Sequence, residues 1–140
     1  MSKVAVVYWS GTGNTEAMAN AVVEGAQAAG AEVELIGAAD FNAGRVADFD
    51  AIAFGCPAMG AEVLEESEFD PMFTDVEHSL GGKKVALFGS WGWGDGVWMQ
   101  EWESRCQEDG ITLAADSVMC QDAPDDEALA NCQELGKKLA

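Results

Sequence analysis

An apolar run, Val4-Ala5-Val6-Val7-Tyr8, breaks into the turn Trp9-Ser10-Gly11-Thr12-Gly13-Asn14-Thr15-Glu16 and then into a helical pattern. A strand, a tight glycine- and hydroxyl-rich turn and a helix N-terminus in that succession make an anion site. The first backbone N–H groups of the helix lack intrahelical partners, and the macrodipole places partial positive charge there. Gly11 and Gly13 allow backbone shapes that a Cβ would block, while Ser10, Thr12, Asn14 and Thr15 add short polar side chains. The turn has neither the G-x-x-x-x-G-K-[ST] pattern of a nucleoside-triphosphate loop nor the G-x-G-x-x-G of a dinucleotide turn. No Lys or Arg stands between Lys3 and Arg45, so a phosphate held here is bound by N–H groups and hydroxyls alone. That suits one terminal phosphomonoester; the plain alternative is a turn that binds nothing.

The rest of the chain repeats the alternation. Met18, Ala21, Val22, Gly25, Ala26 and Ala29 recur at helical spacing up to Gly30, and 31–36 alternates as an edge strand with Val33 and Leu35 on one face. A short helix is predicted over 44–48, a central strand over 50–55, and an amphipathic helix carrying Phe69, Met72, Phe73 and Val76. A second central strand follows over 83–89, then a helix with Trp98, Met99, Trp102 and Cys106. The last strand is predicted from Ile111 through Val118, and a closing helix with Leu129, Cys132, Leu135 and Leu139 starts at Pro124-Asp125. Strands alternating with helices predict one α/β domain over 1–140, a five-stranded parallel sheet of order 2-1-3-4-5 covered on both faces. Ligands of such sheets sit beyond the strand carboxyl ends where the order reverses, which brings together residues 9–15, 56–68 and 90–97.

The formal net charge of -18 over 140 residues disfavours nucleic acid and anionic membrane and favours salt-sensitive encounters with basic protein surfaces. Met1-Ser2-Lys3 runs straight into a strand and no apolar run approaches spanning length, so the cytoplasm is the expected compartment. Cys56, Cys106, Cys120 and Cys132 form no C-x-x-C pair and read as small core residues rather than a metal site. His78, between Glu77 and Ser79, reads as solvated.

The second loop, Cys56-Pro57-Ala58-Met59-Gly60-Ala61-Glu62, adds a thioether and a glycine beside the phosphate turn. The third, Ser90-Trp91-Gly92-Trp93-Gly94-Asp95-Gly96, adds two indoles between glycines. Aromatic rings at a strand end are costly to leave wet unless they cover something, and a flat conjugated ring carrying a phosphate meets both demands. The alternative, packing on the following helix, is acceptable for one of Trp91 and Trp93.

In order along the chain, Trp9-Ser10-Gly11-Thr12-Gly13-Asn14-Thr15-Glu16, Gly55-Cys56-Pro57-Ala58-Met59-Gly60 and Gly89-Ser90-Trp91-Gly92-Trp93-Gly94-Asp95-Gly96 resemble the FMN loops of short-chain flavodoxins of the clostridial type. Glu65-Glu66-Ser67-Glu68 and the closing Cys132…Gly136-Lys137-Lys138 extend the likeness over nearly the whole chain. The resemblance implies a three-layer flavodoxin-like fold and non-covalent FMN. Ser10, Gly11, Thr12, Gly13, Asn14 and Thr15 would hold its phosphate, and Met59 and Trp93 would flank the ring. Gly60 would present a carbonyl near flavin N5 by rotation of the Gly60-Ala61 peptide, Glu62 would lie near N3, and the backbone of Gly92 and Trp93 would address the pyrimidine end. Pro57, Ala58, Ala61, Ser90, Trp91, Gly94 and Asp95 complete the loops, and Asp122 would approach the ribityl chain. Trp91 stands where tyrosine is usual, Ala61 where aspartate or serine is usual, and Gln121-Asp122 where an asparagine is common.

No Cys–His pair, Ser–His–Asp set or second domain offers catalysis on an organic substrate. With Glu62, Glu65, Glu66, Glu68 and Asp70 crowding one loop, the chain is expected to be a low-potential one-electron carrier. It would work on the semiquinone/hydroquinone couple, as a monomer, with larger redox enzymes that present basic surfaces. An FMN-dependent quinone or nitro reductase on the same fold is the rival; a receiver-type domain would need an acidic cluster where Trp9-Ser10 stands.

Overall fold

Each strand of a sheet covered on both sides sends alternate residues into two separate cores, so its sequence reads as an unbroken apolar run. The computed structural model, which describes residues 2–11, 13–59, 64–92 and 96–140, shows this for β1 (Lys3–Tyr8). Ala5 and Val7 enter one core, Val4 and Val6 the other. With β2 (Glu32–Gly37), β3 (Ala51–Gly55), β4 (Lys84–Trp91) and β5 (Val118–Gln121) it forms a five-stranded parallel sheet of order β2-β1-β3-β4-β5. The order is the expected one. No described helix is long and apolar enough to cross a membrane.

On one face lie α2 (Ala43–Val46), α3 (Phe69–Val76) and α4 (Val97–Glu108) over an aromatic core. Phe54 meets Phe73 edge-on at 5.2 Å, and Trp102 stands edge-on to Phe69 at 5.3 Å and to Phe73 at 5.7 Å. All four apolar residues predicted for α3 are buried, as are Trp98, Met99, Trp102 and Cys106 of α4. The other face carries α1 (Asn14–Ala28) and α5 (Asp126–Leu139), the latter capped by the Asp125 carboxylate, which accepts from Ala128 N–H at 2.8 Å. These two helices touch backbone to backbone. A Cβ on Gly25 would lie 1.9 Å from the Gln133 carbonyl oxygen, and one on Gly136 would lie 2.1 Å from that of Val22.

Three details differ from the sequence expectation. The last strand runs over Val118–Gln121; Leu113 makes only a bridge to Val85, after which the chain bends at Ala114-Ala115 and leaves the ladder. Because β5 pairs with Phe88 through Trp91, β4 continues past Gly89, so Ser90 and Trp91 are strand residues rather than loop residues. On β2 the fully buried residue is Ile36, at 4% exposure, on the aromatic side with Phe41 and Val46, while Val33 is half-buried against the other core and Leu35 is 41% exposed. His78 is solvated as expected, its side chain 76% exposed and 3.7 Å from Asp109.

The helix contact makes a prediction in which propensity and sterics disagree. Gly to Ala in mid-helix favours the helix by about 1 kcal/mol, but at Gly25 the added methyl must push α5 away. Gly25→Ala is expected to destabilise the protein by about 2 kcal/mol or more, read as a lower urea midpoint with unchanged slope; a gain in stability would refute the close contact.

Candidate functional site

The carboxyl ends of β1 and β3 lie side by side, β4 runs on past them to Trp91, and the segments that leave the three strands bound a cleft of about 260 Å³. Its lining is Trp9, Gly11, Asn14, Pro57, Ala58, Met59, Ser90, Trp91, Gly92 and Asp122. All three loops expected to converge contribute, and Asp122 joins them from the end of β5. That size lies just under the roughly 300 Å³ lower bound of small-molecule pockets. Of the other residues expected here, Ser10 and Gly13 lie in the turn beside the cleft and Thr15 one residue inside α1. Thr12, Gly60, Ala61, Glu62, Trp93, Gly94 and Asp95 lie outside the described residues, and the Gly60-Ala61 rotation with them.

The first turn of α1 is built to receive an acceptor. Gly13 sits at φ 95°, the left-handed region, and its N–H donates to the Ser10 hydroxyl at 3.0 Å, which folds the turn onto itself. The N–H groups that follow open the helix without intrahelical partners. Thr15 is 1% exposed, and among the described residues its Oγ1 finds no hydrogen-bond partner. A hydroxyl buried without a partner costs about 1–3 kcal/mol, and a phosphate oxygen at this helix terminus would satisfy it together with the free N–H groups. The residues present therefore fit a phosphate, and the apolar walls beyond fit a flat ring.

Trp9, which the sequence carries only as part of the first loop and with no role of its own, lines the cleft and is half-buried against the aromatic core, with its ring edge 3.0 Å from where a Gly11 Cβ would stand. Its position directly after a fully apolar strand was the available signal. Trp91 also packs on that core, as was allowed for one of the two loop indoles. Asp122 is, among the described residues, the one non-glycine with positive φ, 57°; its N–H donates to the Trp91 carbonyl at 2.8 Å. Aspartate tolerates that region better than most residues, so the tight exit from β5 holds this carboxylate beside Gly92.

The acidic loop needs correction. Glu65, which the sequence places among the acids crowding this loop, is 6% exposed. Its carboxylate accepts from the Ser67 hydroxyl, from Ser67 N–H at 2.8 Å, from Glu68 N–H at 2.7 Å and from Phe69 N–H at 2.9 Å, so it caps α3. Burial alone would raise this carboxyl; those donors outweigh it and hold it down at about 2. Asp70 is paired with Arg105 at 2.8 Å, and the same guanidinium reaches Glu77 at 2.8 Å. A cation supplied from α4 thus neutralises part of this acidic stretch and leaves Glu66 and Glu68 as its exposed acids among the described residues.

Because the Glu65 carboxyl is depressed in the fold from an ordinary 4.5 to about 2, its contribution is complete above pH 4.5 and is lost as pH falls toward 2. Glu65→Gln is expected to cost about 2 kcal/mol at pH 7, from loss of charge-assisted hydrogen bonds. The gap from the parent should close as pH falls from 4.5 to 2 in chemical denaturation. A gap constant with pH would show that the charge does not cap α3.

With this geometry in hand, the likenesses to known proteins are specific. The flavodoxin family model matches residues 6–136. The chain is 49% identical to a flavodoxin of Megasphaera elsdenii over 137 residues, 98% of both chains, and 47% identical to one of Clostridium beijerinckii over 135 residues, 96% of this chain and 97% of that one. The solution structure of two-electron reduced Megasphaera elsdenii flavodoxin superposes with a TM-score of 0.89 at 48% identity, covering 97% of each chain. A phosphate-ready helix terminus opening on an aromatic cleft is what such a kinship requires: the chain belongs to the flavodoxin family and is an FMN-binding electron carrier, an electron-transfer protein rather than an enzyme.

Proposed function

We propose that this chain binds FMN in the cleft between β1, β3 and β4 and exchanges single electrons at low potential with redox enzymes that present basic surfaces. The observation that carries the site is Thr15, whose buried hydroxyl, among the described residues, lacks a partner at the start of α1. When bound, FMN supplies the redox chemistry. The chain supplies position and field. The N–H groups of the first α1 turn and the hydroxyls of Ser10, Thr12 and Thr15 would hold the phosphate, with Gly11, Gly13 and Asn14 shaping the turn. Trp9, Met59 and Trp91, with Trp93, would keep water off the ring, framed by Pro57, Ala58, Ser90 and Gly92. The backbone of Gly60, Ala61, Gly94 and Asp95 and the side chain of Glu62 would border it, and Asp122 would face the ribityl side.

The exposed Glu66 and Glu68 on the segment that follows the second loop, and Glu62 of that loop, would add negative charge to the cofactor's surroundings and disfavour an added electron. At about 10 Å and an effective dielectric near 40 each fixed charge contributes on the order of 1 kcal/mol, and about 59 mV accompanies each tenfold change for one electron. The same charges, within a total of -18, suit a basic partner. We read residues 1–140 as a single domain that works as a monomer in the cytoplasm.

Thr15→Ala is expected to weaken FMN about tenfold or more, as the loss of one hydrogen bond to a charged group implies, and to leave riboflavin affinity nearly unchanged. Titration with both ligands checks this; equal losses would place the phosphate elsewhere. The association rate with a basic redox protein should fall steeply as salt rises from about 0.02 M to about 0.5 M, the Debye length shrinking from roughly 20 Å to roughly 4 Å. In stopped flow, Glu66→Gln with Glu68→Gln should flatten that dependence, whereas Glu65→Gln should not, its charge being spent on α3. A salt-independent rate would leave the charge no role in docking.

A further inference from the structure

Every polar atom of Cys56 is engaged, and each engagement reaches a different segment of the chain. Its N–H donates to the Phe88 carbonyl on β4 at 3.2 Å, and its own carbonyl accepts the Trp98 indole N–H at 3.1 Å, near the start of α4. Its thiol donates to the Pro57 carbonyl at 3.5 Å and accepts the Glu65 N–H at 3.4 Å. Pro57 opens the second loop, and Pro57, Ala58 and Met59 line the cleft. Glu65 closes that loop and passes it into α3. The loop therefore leaves and returns at one sulfur atom. The residue is fully buried and its thiol is pushed up to about 12, chiefly by that burial and further by the charges of Glu65 and Asp70, so it keeps the proton it donates. The buried Cys106 provides a contrast: it packs in the same aromatic-side core on α4, away from the cleft lining.

We propose that Cys56 is a positioning residue for the cofactor: its thiol closes the neck of the loop that runs from Pro57 to Glu65, and so sets how Pro57, Ala58 and Met59 meet the bound ring. This rests on the cleft being the FMN site. Alanine at position 56 would fill nearly the same space but leave the Glu65 N–H and the Pro57 carbonyl without that link. Among the described residues the loop would then be held by its covalent ends, the buried Leu64 and the Ala58 N–H to Ser90 carbonyl bond at 3.0 Å, without the sulfur that joins its two ends. A loop so loosened meets the oxidised and reduced rings, which differ in shape and charge, with an altered preference. The phosphate turn lies on β1 and α1 and is untouched.

The test is titration of the full-length wild-type, Cys56→Ala, Cys56→Ser and Cys106→Ala proteins with oxidised FMN, with chemically reduced FMN and with riboflavin. Cys56→Ala is expected to weaken oxidised FMN and riboflavin by the same factor, about tenfold, and to change the ratio of affinities for reduced and oxidised FMN by at least threefold. Cys56→Ser keeps a donor and an acceptor on a shorter bond and should fall between, its ratio at least twofold from wild type. Should Cys56→Ala not fold, the serine variant carries the test alone. Cys106→Ala, an equal truncation, should lower thermal stability and leave the ratio as in wild type. A wild type that binds FMN together with Cys56 variants of unchanged ratio, or a Cys106→Ala shift of the same size, would overturn the inference alone. Failure of the wild type to bind FMN would overturn the assignment of the cleft.

Discussion

Parallel strands can end side by side only if the backbone ladder holds them in register, and here it ties Tyr8 to Gly55 and Gly55 to Phe88. The cleft depends on that alignment. Because the strand order reverses between β1 and β3, the chain leaves β1 toward α1 on one face and leaves β3 toward α3 on the other, and the diverging connections part above the sheet. No loop has to be long to make this opening. The turn after β1 needs only enough residues to bring a helix terminus to its edge, and β4 brings Ser90 and Trp91 to the rim as part of its own ladder.

Charge near the cleft is sorted rather than simply accumulated. Glu65 is turned inward as a helix cap, Asp70 and Glu77 share Arg105, and Arg105 also lies 5.0 Å from the Phe73 ring centre. A guanidinium placed over an aromatic face and between carboxylates ties α3 to α4 through attraction that bulk solvent screens less than it does an open pair. The exposed acids are thereby separated in role from the structural ones, although they alternate with them within a few residues of sequence.

What could be read from the sequence were the features that local chemistry dictates: the apolar strands, the turn after β1, the aromatic spacing of α3 and α4, and the Pro124-Asp125 start of α5. Less legible were features decided by a partner distant in sequence. Ile111 to Ala114 has strand-like composition, but whether it joins the sheet depends on how far β4 extends, and Val85 takes only one bridge from it. Leu35 and Ile36 are alike in hydrophobicity, and only the placement of Phe41 and Val46 decides which is covered. Glu65 looks like its neighbours Glu66 and Glu68 until the N–H groups of the next helix turn are seen to converge on it. Trp9 took its role from the bareness of Gly11, a contact across two residues that periodicity does not encode.

The backbone contact between α1 and α5 has a consequence for the order of events during synthesis. Helix α1 follows the anion-binding turn directly, yet the surface it packs on, through Gly25 and Gly136, is α5, made long after it. Until residues 126–139 are made, α1 has the sheet to pack on but lacks the α5 surface that covers its side. The phosphate turn near residue 14 thus leans on a helix made more than a hundred residues later, and a polypeptide cut short before α5 would lack the packing that orients that turn however complete its binding loops were.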